Sequence, residues 1–336
     1  MTATPHEPRR VVYFLLVVLG AVFCTGCAGL RFVVDLVPAD DTLDETIVLE
    51  DDDAGGWSVN KVALVDVTGV IADAERPSFM GGENPVSALA EALHRAEDDH
   101  SVKAVILRVN SPGGAVTATD IMYREVVHFR ETTGKPVIIL MGDVAASGAM
   151  YLACAGDHII AHPTTVTGSI GVIMQLMDVS DGLRRIGIRS NAITSGPNKS
   201  MGSPFKEMEA AHRELFQDMV NEFYAQFRNI VHTRRPAISD SDLVWVTDGR
   251  VVSGTRAAEI GLIDETGDLR TAFARAKERA DLHAARMVKY HRSLDYVGSP
   301  YSSSPSGAPQ VNMVNVNVDL PSNTAAFQYL WDPLAW

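Results

Sequence analysis

The stretch Val102 to Val109 (VKAVILRV) narrows the fold more than any other. It is a near-continuous apolar run of strand length, the pattern of a strand buried on both faces of a parallel sheet. The run leads directly into Asn110-Ser111-Pro112-Gly113-Gly114, and a helix is predicted from about Ala115 to Arg130. A second buried strand, Pro136 to Met141, follows the break at Gly134-Lys135. Strand, helix and strand in alternation imply a parallel sheet with right-handed crossovers, so the expected class is α/β.

The flanking segments repeat the pattern. Lys61 to Ile71 reads as a first strand. Asn84 before Pro85 reads as an N-cap and N1 pair, opening a helix that buries Val86, Leu89 and Leu93 and ends near Asp98. Further along, a helix through Ala155, a strand at His158 to Ala161 and a long helix from about Pro204 to His232 are predicted. On the long helix Met208, Leu215, Met219, Phe223, Phe227 and Ile230 recur at helical spacing and read as packing residues. Short helices at Thr255 to Gly261 and Leu269 to Ala280 complete the pass.

With 336 residues, 46% of them hydrophobic, the chain can build a substantial core. A formal net charge of −13 argues against nucleic acid as a partner. Much of that charge lies between Asp35 and Asp53, so residues 31–58 read as a solvated acidic linker. The three cysteines, Cys24, Cys27 and Cys154, form no disulfide framework, and Cys154 reads as a small core residue. No nucleotide-binding or metal motif is present, so no cofactor is expected.

Residues 1–30 read as an address. Arg9-Arg10 precede the apolar run Val11 to Phe23, the n-region and h-region pattern of an export signal. Thr25-Gly26 before Cys27 and Ala28-Gly29 after it resemble a bacterial lipobox, in which Cys27 would carry the lipid, although Cys24 stands where Leu is usual. Val11 to Leu30 is also long enough for an uncleaved anchor. Lipoprotein, anchored protein and secreted protein all place the folded domain outside the cytoplasm, in the cell envelope.

The residues that carry chemistry lie within the predicted α/β region. Ser147 stands alone in the small-residue run Ala145-Ala146-Ser147-Gly148-Ala149, and Lys199 follows in Thr194-Ser195-Gly196-Pro197-Asn198-Lys199. Serine needs a positioned base to become a nucleophile, and lysine serves only when desolvation keeps it neutral. The loop around Lys199 carries Gly196, Pro197, Gly202 and Pro204 and no carboxylate until Glu207. Gly113-Gly114, after the buried strand, can turn backbone N–H groups toward a developing oxyanion.

Four segments, Arg108 to Gly114, Gly142 to Gly148, Pro163 to Val172 and Lys199 to Phe205, resemble the signal peptide peptidase A family of serine peptidases, the S49 type. The resemblance covers about residues 60 to 285 and sets the expected peptidase domain at 59–292. It implies a ClpP/crotonase-like fold with a mainly parallel sheet and flanking helices. It implies Ser147 as nucleophile, Lys199 as general base, Ser169 orienting the lysine amine, and the Gly114 and Gly148 amides as the oxyanion hole. The expected partners are cleaved signal peptides or unfolded polypeptide, the membrane through the N-terminal segment, and other copies of the chain in a ring, with the dyad open to completion across a subunit boundary. Ser200, where the family often has Asp, and Ala149, where a second glycine is usual, depart from the pattern.

Three rival readings stay beside this one. A ClpP-type Ser/His/Asp hydrolase would use His162, which follows the strand ending at Ala161 but lies close to Ser147 in the sequence. A crotonase would act on acyl-CoA, for which an exported protein has no ready supply. An inactive scaffold of the same fold would be expected to lose Ser147 or Lys199, and both are present. Residues 293–336 read as a Ser/Pro-rich linker and a tail, with alternating apolar residues from Val311 to Val318 as a strand in search of an edge.

Overall fold

The computed structural model describes residues 43–54, 60–75, 83–292, 298–302 and 327–331. The export segment with Cys24 and Cys27 and the alternating run Val311 to Val318 lie outside the described residues. Among the described residues no helix is long and apolar enough to cross a membrane.

The core element is β3 (Val102–Ser111). It lies parallel between β2 (Lys61–Thr68) and β5 (Val137–Ala146). The sheet continues through β6 (His158–Ala161) to the two-residue β9 (Glu265–Thr266) on one side. On the other side β10 (Arg286–His291) pairs parallel to β2, and β1 (Asp44–Glu50) closes that edge antiparallel to β10. β7 (Val166–Gly168) runs parallel to the end of β5 and carries β8 (Val251–Ser253) on its far side. The architecture is a mostly parallel mixed sheet with helices on both faces, the ClpP-like α/β class.

Alternation along the strands explains the two layers. Ala63, Val65, Val105, Leu107, Val109, Ile139 and Met141 face the core shared with α1 (Pro85–Asp98) and α2 (Val116–Thr133). Their neighbours Val62, Leu64, Ala104, Ile106, Ile138 and Leu140 face Leu269, Ala272, Phe273 and Ala276 on the opposite surface. A strand with both faces covered must be apolar at every interior position, which is why VKAVILRV shows no polar alternation.

Local chemistry sets the helix limits. Asn84 Oδ1 accepts from Val86 N–H at 2.9 Å, with Pro85 at the first helical position. α2 ends on Gly134 in the left-handed region at φ +68°. α3 (Gly148–Ala153), α4 (Ser180–Arg185), α5 (Ala210–Arg234), α6 (Asp240–Val246), α7 (Gly254–Glu259) and α8 (Leu269–Arg279) follow. Cys154, just past α3, is buried, and desolvation pushes its thiol up to about 12, in keeping with a core residue.

Three expectations need correction. Part of the acidic linker is a strand: in β1 the acids stand at the two ends of the run Thr46-Ile47-Val48-Leu49, and Glu45 pairs with Lys61 while Glu50 meets Arg286 at 2.6 Å. Cross-strand ion pairs thus turn a charge run into an edge strand. The long helix starts at Ala210 rather than Pro204, because Gly202 at φ +76° and the bond from Val179 N–H to the Pro204 carbonyl hold the preceding segment in turns. Its apolar stripe packs toward the C-terminal end, where Phe227 is buried against Tyr151 and Tyr329 and Val231 is buried too; Leu215 and Met219 are 43% and 37% exposed.

Candidate active site

The parallel pairing of β5 with β7 matches Ala146 to Gly168, so the residues that follow, Ser147 and Ser169, leave the sheet side by side. Both adopt positive φ, +55° and +49°, and they are two of only three non-glycine residues to do so among the described residues. Such backbone is costly for a residue with a side chain, and neighbouring bonds must impose it. Ser147 N–H donates to the Gly168 carbonyl at 2.8 Å, and Ser169 N–H donates to the Arg250 carbonyl at 2.7 Å. The result is a sharp strand-to-helix elbow with Ser147 at its tip and Gly148 opening α3.

The Pro-Gly-Gly turn closes over this elbow. Gly113 and Gly114 begin β4 (Gly113–Ala115), which is held along one edge by Ile71: Ile71 N–H donates to Gly113 O and Ala115 N–H to Ile71 O, both at 2.8 Å. Gly113 sits at φ +96°, and the position a Cβ would take there lies 2.6 Å from the Gly148 nitrogen. Only glycine lets the two backbones approach this closely. A Cβ on Gly148 would stand 2.7 Å from Thr119 Oγ1, a buried hydroxyl without a partner. Ser111 Oγ accepts from Gly113 N–H at 3.0 Å and fixes the turn from below.

The structure therefore brings together Ser147, Ser169, Gly114 and Gly148. It does not bring Lys199 to them within one chain. Lys199 lies on the exposed 3-10 turn Pro197–Ser200, and among the described residues no hydrogen bond joins it to Ser147. His162, the alternative base, likewise has no hydrogen bond to Ser147 among the described residues. His158 is occupied by Glu265, at 2.8 Å. Among the described residues no cluster of His, Cys, Asp or Glu could hold a metal ion.

Thr119 and Tyr151 beside the elbow carry no motif and are not legible in the sequence, whereas Phe227 is one of the packing residues that the helical spacing predicts. Tyr151 of α3 and Phe227 of α5 lie 5.2 Å apart between ring centroids. Tyr151 Oη donates to Asp120 Oδ1 at 2.7 Å and accepts from Gln226 Nε2 at 2.9 Å. Burial together with the Asp120 carboxylate pushes the Tyr151 phenol well up.

A strained serine, a glycine-lined amide pocket and a ClpP-like sheet describe an acyl-transfer site, and comparison with known proteins agrees. The family model described as peptidase family S49 matches residues 130–283, and the Clp protease model matches residues 82–167. "Putative signal peptide peptidase SppA" of Enterococcus faecium is 31% identical over 237 residues, covering 70% of this chain and 68% of that protein. This chain belongs to the signal peptide peptidase A family, the S49 serine peptidases. A larger relative, Protease 4 of Haemophilus influenzae, is 34% identical over 219 residues, which are 65% of the S49 chain but 35% of that protein. A Methanocaldococcus jannaschii protein named as a protease is 36% identical over 198 residues, 59% of the S49 chain and 63% of its own length. The S49 chain thus spans about a third of Protease 4 and somewhat under two thirds of the archaeal protein.

Proposed function

We propose that this serine-type peptidase is a membrane-associated endopeptidase of the cell envelope. It would degrade released signal peptides and other segments of small or apolar residues, using a Ser147/Lys199 dyad. The observation that carries the reading is Ser147 at φ +55° beside the paired glycine backbones of Gly113-Gly114 and Gly148.

In this mechanism Ser147 Oγ attacks the scissile carbonyl carbon as its proton passes to the Lys199 amine, which Ser169 orients. The Gly114 and Gly148 N–H groups hold the oxyanion. Collapse of the tetrahedral intermediate returns the proton to the leaving amine, and water then releases the acyl group by the same steps in reverse. An exposed Lys199 is poorly suited to be a neutral base, so the site is completed by a neighbouring copy, whose elbow receives and desolvates the lysine. The exposed apolar residues of the segment around it, among them Ile173, Met177, Phe205 and Leu215, support a contact between copies there.

Casein or leader-peptide cleavage should disappear in Ser147→Ala and in Lys199→Ala. In the wild type kcat/KM should climb from pH 6 to pH 9, because the base works only when unprotonated. A flat profile over that range, or cleavage retained by Lys199→Ala and lost in His162→Ala, would transfer the role of base to histidine.

A further inference from the structure

The strained elbow is held from outside the motif segments. Gly168 C=O and Ser169 N–H belong to one peptide group, and that group is gripped on both sides. Its carbonyl accepts from Ser147 N–H at 2.8 Å, and its N–H donates to the Arg250 carbonyl at 2.7 Å. A single hydrogen-bonded chain thus runs from Ser147 outward to Arg250, each bond polarising the next. β8 enforces the approach by pairing antiparallel with β7, Gly168 opposite Val251. Gly168 sits at φ +86°, and a Cβ there would lie 2.9 Å from the Arg250 oxygen.

Arg250 is itself clamped. Asp248 Oδ1 accepts from Arg250 N–H at 3.0 Å and from its Nε at 2.8 Å, while Oδ2 accepts from Nη2. The guanidinium lies over the Trp245 ring of α6, 4.2 Å from its centroid. The turn between them is anchored from below: Thr247 is buried, its hydroxyl donates to Leu243 O at 2.7 Å, and its carbonyl accepts from Tyr224 Oη of α5 at 2.6 Å. Gly249 supplies the left-handed step at φ +91°. The guanidinium beside Asp248 holds its carboxyl down at about 2, so the pair is ionised at neutral pH. The two side chains are 38% and 46% exposed, and an ion pair so placed adds little to stability. What sets it apart is geometry: one carboxylate fixes both the side chain and the backbone N–H of the residue whose carbonyl ends the chain of bonds.

We infer that Arg250, clamped by Asp248 and Trp245, is a positioning residue for the nucleophile: it presents the carbonyl that sets the 168–169 peptide, and that peptide sets Ser147 and Ser169. Its side chain is engaged by Asp248 and Trp245, so it acts through its backbone. The inference deepens the peptidase reading and rests on it for Ser147 as the attacking group, but the hold on the 168–169 peptide is measurable without any cleavage.

The test compares the full wild-type chain with Arg250→Ala and Asp248→Asn, the second of which keeps an oxygen for the Arg250 N–H but loses the ionic fork. They should lose about tenfold and about threefold in kcat with KM unchanged, because a small displacement of the attacking group slows chemistry without touching substrate contacts. The rate constant for labelling of Ser147 by a fluorophosphonate should fall in step, while the end-point count of labelled sites stays at the wild-type level. The midpoint of the pH profile should not move. Hydrogen exchange of the Ser169 amide should quicken by about tenfold in Arg250→Ala. Wild-type kcat in both variants, an effect on KM alone, or unchanged Ser169 exchange overturns the inference. So does a lowered end-point count at an undiminished rate constant, which marks a misfolded fraction, and so does a shifted pH midpoint, which marks the Arg250 charge acting on the base through space. Should Arg250→Ala fail to fold, the isosteric Asp248→Asn decides by its kcat and its Ser169 exchange. A wild type that neither cleaves nor labels at Ser147 removes the peptidase reading, and the exchange measurement then decides the hold on the elbow by itself.

Discussion

Ser147 and Ser169 each hold a backbone conformation that costs roughly 1–3 kcal/mol for a residue with a side chain, and two short backbone bonds keep them there. That strain aims a hydroxyl instead of stabilising the fold. Gly148→Ala should therefore fold yet lose on the order of a hundredfold in kcat, since its Cβ would press on Thr119 and on the oxyanion site; steady-state kinetics with a peptide reporter measures this. Thr119→Val should leave stability unchanged or raise it by about 1 kcal/mol, because the hydroxyl it removes is buried without a partner. A loss of about 2 kcal/mol in urea unfolding would show that the hydroxyl is in use after all. At this scale the elbow and the double glycine are legible in the sequence, because their small residues cluster in a short window. Thr119 is not, since one threonine in an amphipathic helix looks like any other until the packing against Gly148 is known.

Strands and helices were legible where a single period dominated. β3, β6 and α1 follow from apolar runs and from the Asn84-Pro85 cap, whereas β1 is hidden because its acids are neutralised by Lys61 on the next segment and by Arg286, 236 residues from Glu50. The start of α5 is hidden as well: Met208 keeps the helical spacing although Glu209, just before the helix, is still extended. At the sheet edge, Glu265 of β9 is bound by Arg275 of α8 and by His158 of β6, and these partners, the arginine first, lower its carboxyl to about 2. A depressed folded-state value means that the group adds stability above its ordinary range near 4.5 and loses it as pH falls from there toward 2. Glu265→Gln should accordingly melt earlier than wild type at pH 6, and the gap should close by about pH 2, as thermal unfolding followed by circular dichroism would register. A gap of constant size would mean that packing, not charge, holds β9.

For the whole molecule, the separation of Lys199 from the elbow predicts complementation between copies. Chains carrying Ser147→Ala mixed with chains carrying Lys199→Ala, unfolded and refolded together, should regain about a quarter of wild-type activity if each site draws its serine and lysine from different copies in a closed ring. No recovery, alongside full assembly by sedimentation, would place both residues in one chain. The tail is anchored at two points: Arg108 Nη1 donates to Pro300 O at 2.9 Å and Lys289 reaches Ser302 O, before the chain returns at Phe327. Nothing in the composition of the Ser/Pro-rich stretch announces that its far end, residues 328–330, pairs with β4, because strand addition depends on an edge supplied by distant residues. Cys154 offers a different use of the same core. A thiol buried beside α3 and held protonated ignores alkylating reagents until the surrounding layer breathes. The rate at which iodoacetamide marks the peptide bearing Cys154 is therefore a clock for transient openings of the domain, readable by mass spectrometry without perturbing a single residue of the cleft.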